Sequence, residues 1–351
     1  YAVFINGKEV KRPYEQHFQT QHLWQWREDP PAFKFAFGSC AYVNEQRFDR
    51  PGDPYGGDYQ IFEHIAGQQP DFMVWGGDNV YLREADWNSE TGIMHRYTHS
   101  RSLPELQPLL ANTHHYAIWD DHDFGPNNSD RSFWNKNLTE KAFKRFWGNP
   151  NYGIATEGKG VHGTFQWADV QFFMLDNRYF RTPNNRETGE RHIIGKQQEE
   201  WLIDALSNSQ APFKFVVIGG QFLNPVAKFE NHSTFPKERS RILKKIREEK
   251  IEGVIFLTGD RHHTVLSKYQ ANADTPPIYD FTISAFTSSS HASDEENTLK
   301  VEGTMVGERN FATMEISGPR KNRVLSVEVI NAKGEKLWER KIEAKKLMYQ
   351  D

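Results

Sequence analysis

One cysteine, Cys40, is all the sequence holds, so no disulfide within the chain braces it and cysteine usage names no compartment. Long apolar runs are missing too: the longest reach about eight residues, against the roughly 20 a helix needs to span a bilayer. Charge of one sign is not in excess, with Lys plus Arg at 43 and Asp plus Glu at 47, so no nucleic-acid-binding or membrane-binding surface is evident and no partner is named. The G-x-x-x-x-G-K-[ST], H-E-x-x-H and G-x-S-x-G patterns are absent, which takes support from nucleotide-loop, zincin and serine-esterase readings. Gly158 to Gly163 matches G-x-G-x-x-G, yet no buried strand precedes it and no clear helix follows. It reads instead as a loop leading into an antiparallel pair. Internal repeats, low-complexity segments and long linkers are also lacking, which favours one domain over 1–351: a hairpin and connection over 1–32, a core over 33–290 and strands completing the sheets over 291–351. Tyr1 stands where a nascent chain would begin with methionine, leaving room for a removed export signal.

What is present is regular. Asn6-Gly7 between short apolar stretches signals a hairpin, because Asn-Gly suits the type I′ turn. Six short runs rich in Val, Ile, Phe and Leu follow, at 33–40, 71–79, 115–123, 170–178, 213–221 and 253–263, each ending in a polar or glycine-containing cluster. Near-continuous apolar runs of this length fit strands buried on both faces. Helical periodicity fills 196–209 and 237–250, and strand alternating with helix argues for an α/β core. Stretches at 279–290 and 311–318 and the pair over 323–342, with a turn at Asn331 to Gly334, read as further strands.

In open α/β sheets ligands collect beyond the carboxyl ends of the strands, so six strands ending in Cys, Asp, Asp-His, Asn-Arg, Gln and Asp-Arg-His bring their polar groups to one rim. Asp78 follows DFMVW in Gly-Gly-Asp-Asn-Val-Tyr, where glycines permit a sharp turn, and Tyr81 can return to the same spot. A lone carboxylate after a strand is more often a helix cap, but this one has five companion clusters. Asp120, Asp121 and Asp123 surround His122, and three carboxylates there repel unless a cation or hydrogen bonds offset them. Asp260 and His262 stand two apart and point the same way in extended backbone. For His263 the reading of a satisfied structural histidine is preferred. Cys40 alone would read as a small buried hydrophobe, but on this rim its thiolate becomes a strong ligand for iron or zinc.

Gly77-Asp78, Asp120-Asp121-His122-Asp123 and Gly259-Asp260-Arg261-His262, with Ser39-Cys40, Gly-Asp-x-x-Tyr, Trp-Asp-Asp-His and Leu-Asp-x-Arg at Leu175 to Arg178, resemble the calcineurin-like metallophosphoesterases and within them the PhoD-like (alkaline phosphatase D) family. The resemblance spans 33–263, with two standard ligand types of the superfamily replaced. It implies a four-layer α-β-β-α sandwich of mixed sheets with the site at the strand carboxyl ends. It implies an Fe(III)-type site of Cys40, Asp78, Tyr81 and His262, thiolate and phenolate suiting a transition metal. A second metal would share Asp78 and take Asp121 and Asp260, oxygen donors that suit Ca(II) or another divalent ion such as Zn, Mn or Mg. Asn127 or Asn128 completes that sphere, with Gln221 a nearby polar group.

The expected reaction is hydrolysis of a small-molecule phosphate ester, monoester or diester, by a metal-activated hydroxide. His122 is the candidate to stabilise charge or protonate the leaving alkoxide. Arg178 is the candidate to hold phosphate by a bidentate contact, beside the plainer reading of an ordinary ion pair; Arg47 is a weaker candidate. Trp87, His95, Tyr97, His99, Phe133, Trp134, Phe146 and Trp147 offer aromatic surface, more of it core than pocket wall. Two rival readings stand: a non-catalytic metal-binding or ligand-binding module of the same shape, and a metal-dependent hydrolase of a non-phosphate ester. The resemblance also implies an extracytoplasmic enzyme; oligomeric state is open.

Overall fold

A computed structural model describes residues 1–350. It opens on β1 (Phe4–Ile5) and β2 (Lys8–Glu9), joined by Asn6 and Gly7 at φ 50° and 75°, the double left-handed pair a type I′ hairpin needs. Then follow β3 (Phe33–Gly38), α1 (Ile61–Gly67), β4 (Phe72–Gly76), α2 (Glu90–Arg101), α3 (Gln107–Asn112), β5 (His114–Ile118), α4 (Asp121–Phe124) and α5 (Lys136–Phe146). The second half runs β6 (Gly163–Trp167), β7 (Val170–Met174), α6 (Lys196–Asn208), β8 (Lys214–Val217), α7 (Pro236–Glu248), β9 (Val254–Thr258), β10 (Val265–Tyr269), β11 (Ile278–Thr282), β12 (Asn310–Ser317), β13 (Val324–Asn331) and β14 (Lys336–Glu343).

The six apolar runs are six strands, divided between two sheets. The first sheet has the order β14-β13-β12-β3-β4-β5, with β3, β4 and β5 parallel and the C-terminal meander antiparallel. The second has the order β10-β11-β9-β8-β7-β6, parallel through β7, β8, β9 and β11 with antiparallel β6 and β10 at its edges. The glycine-rich segment before Gly163 leads into β6 and its antiparallel pairing with β7, as its sequence implies.

Alternation along each strand builds the layers. Phe35, Phe37, Phe72 and Val74 of the first sheet meet Phe172, Met174, Phe215, Val217, Ile255 and Leu257 of the second in one buried cluster between the sheets. Phe35 stacks on Phe72 at 5.1 Å and meets Phe172 and Phe215 edge-on at 5.2 and 5.3 Å. The intervening residues point outward: Met73, Trp75 and Ala117 pack under α1, α2, α3 and α5, while Phe173, Val216 and Phe256 pack under α6 and α7. The result is helix, sheet, sheet, helix. A fully buried Phe in such a layer contributes about 1.5–3 kcal/mol by removal from water. Among the described residues no helix is long and apolar enough to cross a membrane.

Candidate metal centre

The polar ends of β3, β4, β5 and β9 meet at one rim between the sheets. Glycine makes the approach possible. A methyl at Gly259 would lie 2.4 Å from Ser39 Oγ, and one at Gly219 would lie 2.5 Å from Asp120 Oδ2, so side chains there would hold the sheets apart. The chain turns abruptly at the ends of β3, β4 and β9: Cys40, Asp78, Asp260 and His262 all sit in left-handed backbone, with φ of 63°, 52°, 68° and 53°. Each such residue costs on the order of 1 kcal/mol or more, and such outliers cluster where a site dictates geometry.

Asp78 is the hub. Its Oδ1 accepts the backbone N–H of His122 at 3.1 Å, and its Oδ2 lies 3.7 Å from Cys40 Sγ. Cys40 also receives the Ser284 hydroxyl at 3.2 Å. Tyr81, buried beside Cys40, has its hydroxyl 3.2 Å from His262 Nε2. Tyr55 and Ser288 flank the same imidazole, each at 3.3 Å. On the other side, Asp120 caps α4, so Asp121 and His122 open that helix and Asp121 is buried. The Asp121 Oδ2 accepts the Asn128 backbone N–H at 2.7 Å and lies 4.0 Å from His122 Nε2. The His122 ring stacks on Tyr81 at 4.2 Å and is 24 % exposed.

Ligand atoms of Asp78, Asp121 and His122 lie within 4.8 Å of one another, and so do those of Asp120, Asp121 and Asp260; the triads share Asp121. Burial, then the charges of Asp121, Asp120, Asp123 and Asp260, push the Asp78 carboxyl well above the usual range. Burial, then Asp120 and Asp121, does the same to Asp260. The Cys40 thiol is pushed up by burial and then by Asp78. Burial pushes His262 down to about 4, a neutral imidazole with a free lone pair. Asp120 Oδ2 and Asp121 Oδ1 are buried without a hydrogen-bond partner. Buried, mutually repelling carboxylates with orphaned oxygens are what a cation would satisfy, and thiol, phenol, imidazole and carboxylates form a complete donor set. The residues present fit metal ions.

The other expected site residues lie differently. Arg178 is 1 % exposed, its Nε on Asp120 Oδ1, its Nη1 2.9 Å from Glu230 Oε2 and its Nη2 3.7 Å from Asp121 Oδ1. Instead of facing open space, its guanidinium is the counter-charge of the acidic cluster. Arg47 is exposed and lies over the Phe48 ring at 5.4 Å, with no hydrogen bond or ion pair to the cluster among the described residues. Asn127 and Asn128 are both exposed; the loop reaches Asp121 through the Asn128 backbone. Gln221 is buried and bonded to Asn224 and Arg261. Tyr97, Phe133 and Trp147 are core, whereas Trp134 is 67 % exposed. Sequence reasoning missed Tyr55, Ser284, Ser288 and Glu230. Ser284 and Ser288 had a signal, small polar residues directly after the apolar run that forms β11; Tyr55 and Glu230 had none.

Two facing mixed sheets between helices, with this rim, are the fold of the metallophosphoesterases. A solved structure titled "Structure of PhoD" superposes with a TM-score of 0.68 at 17% identity, covering 90% of this chain and 72% of that one. Purple acid phosphatase PPD1 from yellow lupin (Lupinus luteus) gives 0.64 at 11% identity, covering 90% and 54%. The PhoD-like phosphatase family profile matches residues 35–316, and the chain belongs to that family. Alkaline phosphatase D of Bacillus subtilis (strain 168) is 22% identical over 318 residues, 74% of this chain and 52% of that protein; the chain thus spans about half the length of that curated relative.

Proposed function

We propose that this protein is a metal-dependent phosphoesterase, acting on phosphate monoesters or diesters outside the cytoplasm. The observation that carries the reading is the gathering of the buried carboxylates of Asp78, Asp120 and Asp121 and of Asp260 from strand ends of both sheets, with Cys40, Tyr81 and His262 beside Asp78. Cys40, Asp78, Tyr81 and His262 would hold one cation, iron being suited to the thiolate and phenolate. Asp78, Asp121 and Asp260 would hold the other, calcium or a similar hard divalent ion. Cations there supply polarisation of phosphoryl oxygens and acidification of a water.

The chain's own groups do the rest. Asp78 faces Cys40 with one oxygen and the His122 amide with the other, so it ties the two halves together. His122, half-buried, stands where its Nε2 can give a proton to the departing alkoxide oxygen, a contribution of about 10²- to 10⁴-fold. Tyr81 holds that ring by stacking. Arg178 positions Asp120 and Asp121 and offsets their charge, in place of the phosphate contact its sequence position suggests.

Asp78→Ala tests the whole reading: it should lose bound metal and hydrolysis of p-nitrophenyl phosphate and bis-p-nitrophenyl phosphate while the circular dichroism of the fold survives. Normal turnover in this variant would refute it. Competitive inhibition by vanadate separates phosphate chemistry from that of other esters.

A further inference from the structure

An open cavity of about 750 Å³, lined in part by Tyr179 and Phe180 directly after Arg178, is not used by the reaction above. Its walls carry Arg131, Lys136, Lys159, Arg186 and Lys196 against a single carboxylate, Glu190. Glu190 is already engaged, 2.5 Å from Lys196 and 3.6 Å from His192. The other four cations have no carboxylate within ion-pair reach among the described residues; Arg186 Nε donates to the Thr188 carbonyl, and Lys136 Nζ to that of Arg131. Lys136 also lies over the Tyr179 ring at 4.5 Å. Burial and then the Arg131 charge lower its proton affinity, against the partial offset of Asp176 and Glu140. In a chain with more acids than bases, four unpaired cations around one concavity form a local field that raises the concentration of anions.

The segments that line the cavity are tied to those that support the metal centre. Ser129 takes the Arg178 guanidinium on its carbonyl, and Arg131 donates its amide to the Arg181 carbonyl at 3.1 Å. Tyr179 and Phe180, which line the cavity, directly follow Arg178.

We propose that this cavity binds a multiply charged phosphorylated group. The group is either a second phosphate on the substrate, in which case the inference rests on the phosphoesterase reading, or part of a free polyanion. Lysine and arginine donors without carboxylate partners suit phosphate oxygens, and the breadth of the cavity suits more than one phosphate.

Inositol hexakisphosphate binding is measured by calorimetry on the metal-loaded protein at physiological salt, with and without saturating vanadate. Wild type should bind it in both conditions. Lys136→Gln/Lys159→Gln should weaken binding by roughly tenfold or more. Arg131→Gln/Arg186→Gln should do the same, guarding against misfolding of the first pair. Lys321→Gln/Lys333→Gln, an equal charge change at exposed lysines elsewhere, should not. No binding to wild type, displacement by vanadate, or equal weakening in all three variants overturns the proposal. These results do not depend on catalysis, so they stand apart from the phosphoesterase reading. The source is decided by kcat/KM for fructose 1,6-bisphosphate against fructose 6-phosphate. A preference for the bisphosphate that vanishes in the cavity variants assigns the group to the substrate. No preference, with cavity-dependent probe binding, assigns it to a free ligand.

Discussion

Arg178 joins Asp120, Asp121 and Glu230 in a buried net, so its replacement acts on the carboxylates before it acts on any ligand. Arg178→Lys keeps the charge but loses the planar fork. It should lower stability by about 3 kcal/mol, within the range for a broken buried pair, and reduce metal content together with kcat. Urea unfolding, elemental analysis and steady-state kinetics on one sample check this. An increase in KM alone, with stability and metal content intact, would restore the phosphate-holding role. At this scale the sequence was informative where chemistry follows directly on an apolar run, as at Cys40, Asp78, Asp121 and Asp260. It was silent about Glu230 and Tyr55, which reach their partners Arg178 and His262 from loops 52 and 207 residues distant. Nothing local marks a long-range partner.

The strands were legible because burial on both faces leaves little room for polar residues within them. The division into a two-sheet sandwich came from the family resemblance and not from the runs themselves, since a continuous apolar run does not say which neighbour it pairs with. The aromatic cluster between the sheets depends on that division: Phe35 touches Phe72 of its own sheet and Phe172 and Phe215 of the other. Phe35→Ala opens a cavity at this junction and should cost about 3–5 kcal/mol, read as a lower urea midpoint. A loss under 1 kcal/mol would mean that the sheets close over the gap and that this packing is not what holds them together. The short helix at Asp121–Phe124 was not anticipated either. It is too brief to carry a periodicity, and only the reciprocal capping of Asp120 and Asp123 marks it.

For the molecule as a whole, the carboxyl cluster links cations, protons and stability. Burial and neighbouring carboxylates raise Asp78 and Asp260, so without a cation each favours folding fully only below the unfolded carboxyl value of about 4, and that contribution is lost as pH climbs through the raised folded values. A cation reverses this by favouring the ionised form. His262, lowered to about 4, does not compete for protons above pH 5. The melting-temperature gain on adding divalent cation to chelator-treated protein should therefore grow from about pH 5 to pH 8, by several degrees. Scanning fluorimetry across that range is sufficient, and a gain that is flat or shrinks with pH would separate the cluster from cation binding.

The strand order of the first sheet bears on how the chain is made. Its inner strand β3 (Phe33–Gly38) has as one of its two neighbours β12 (Asn310–Ser317), with both strands of the other sheet's centre and most of the core lying between them in sequence. During translation the β3 flank that β12 will cover stays bare while nearly all the intervening chain emerges, a template open to mispairing with other nascent chains. Closure of that sheet waits until β12 has emerged, so the rim that β3 helps to build should become competent to take up metal only once β12 has paired with it.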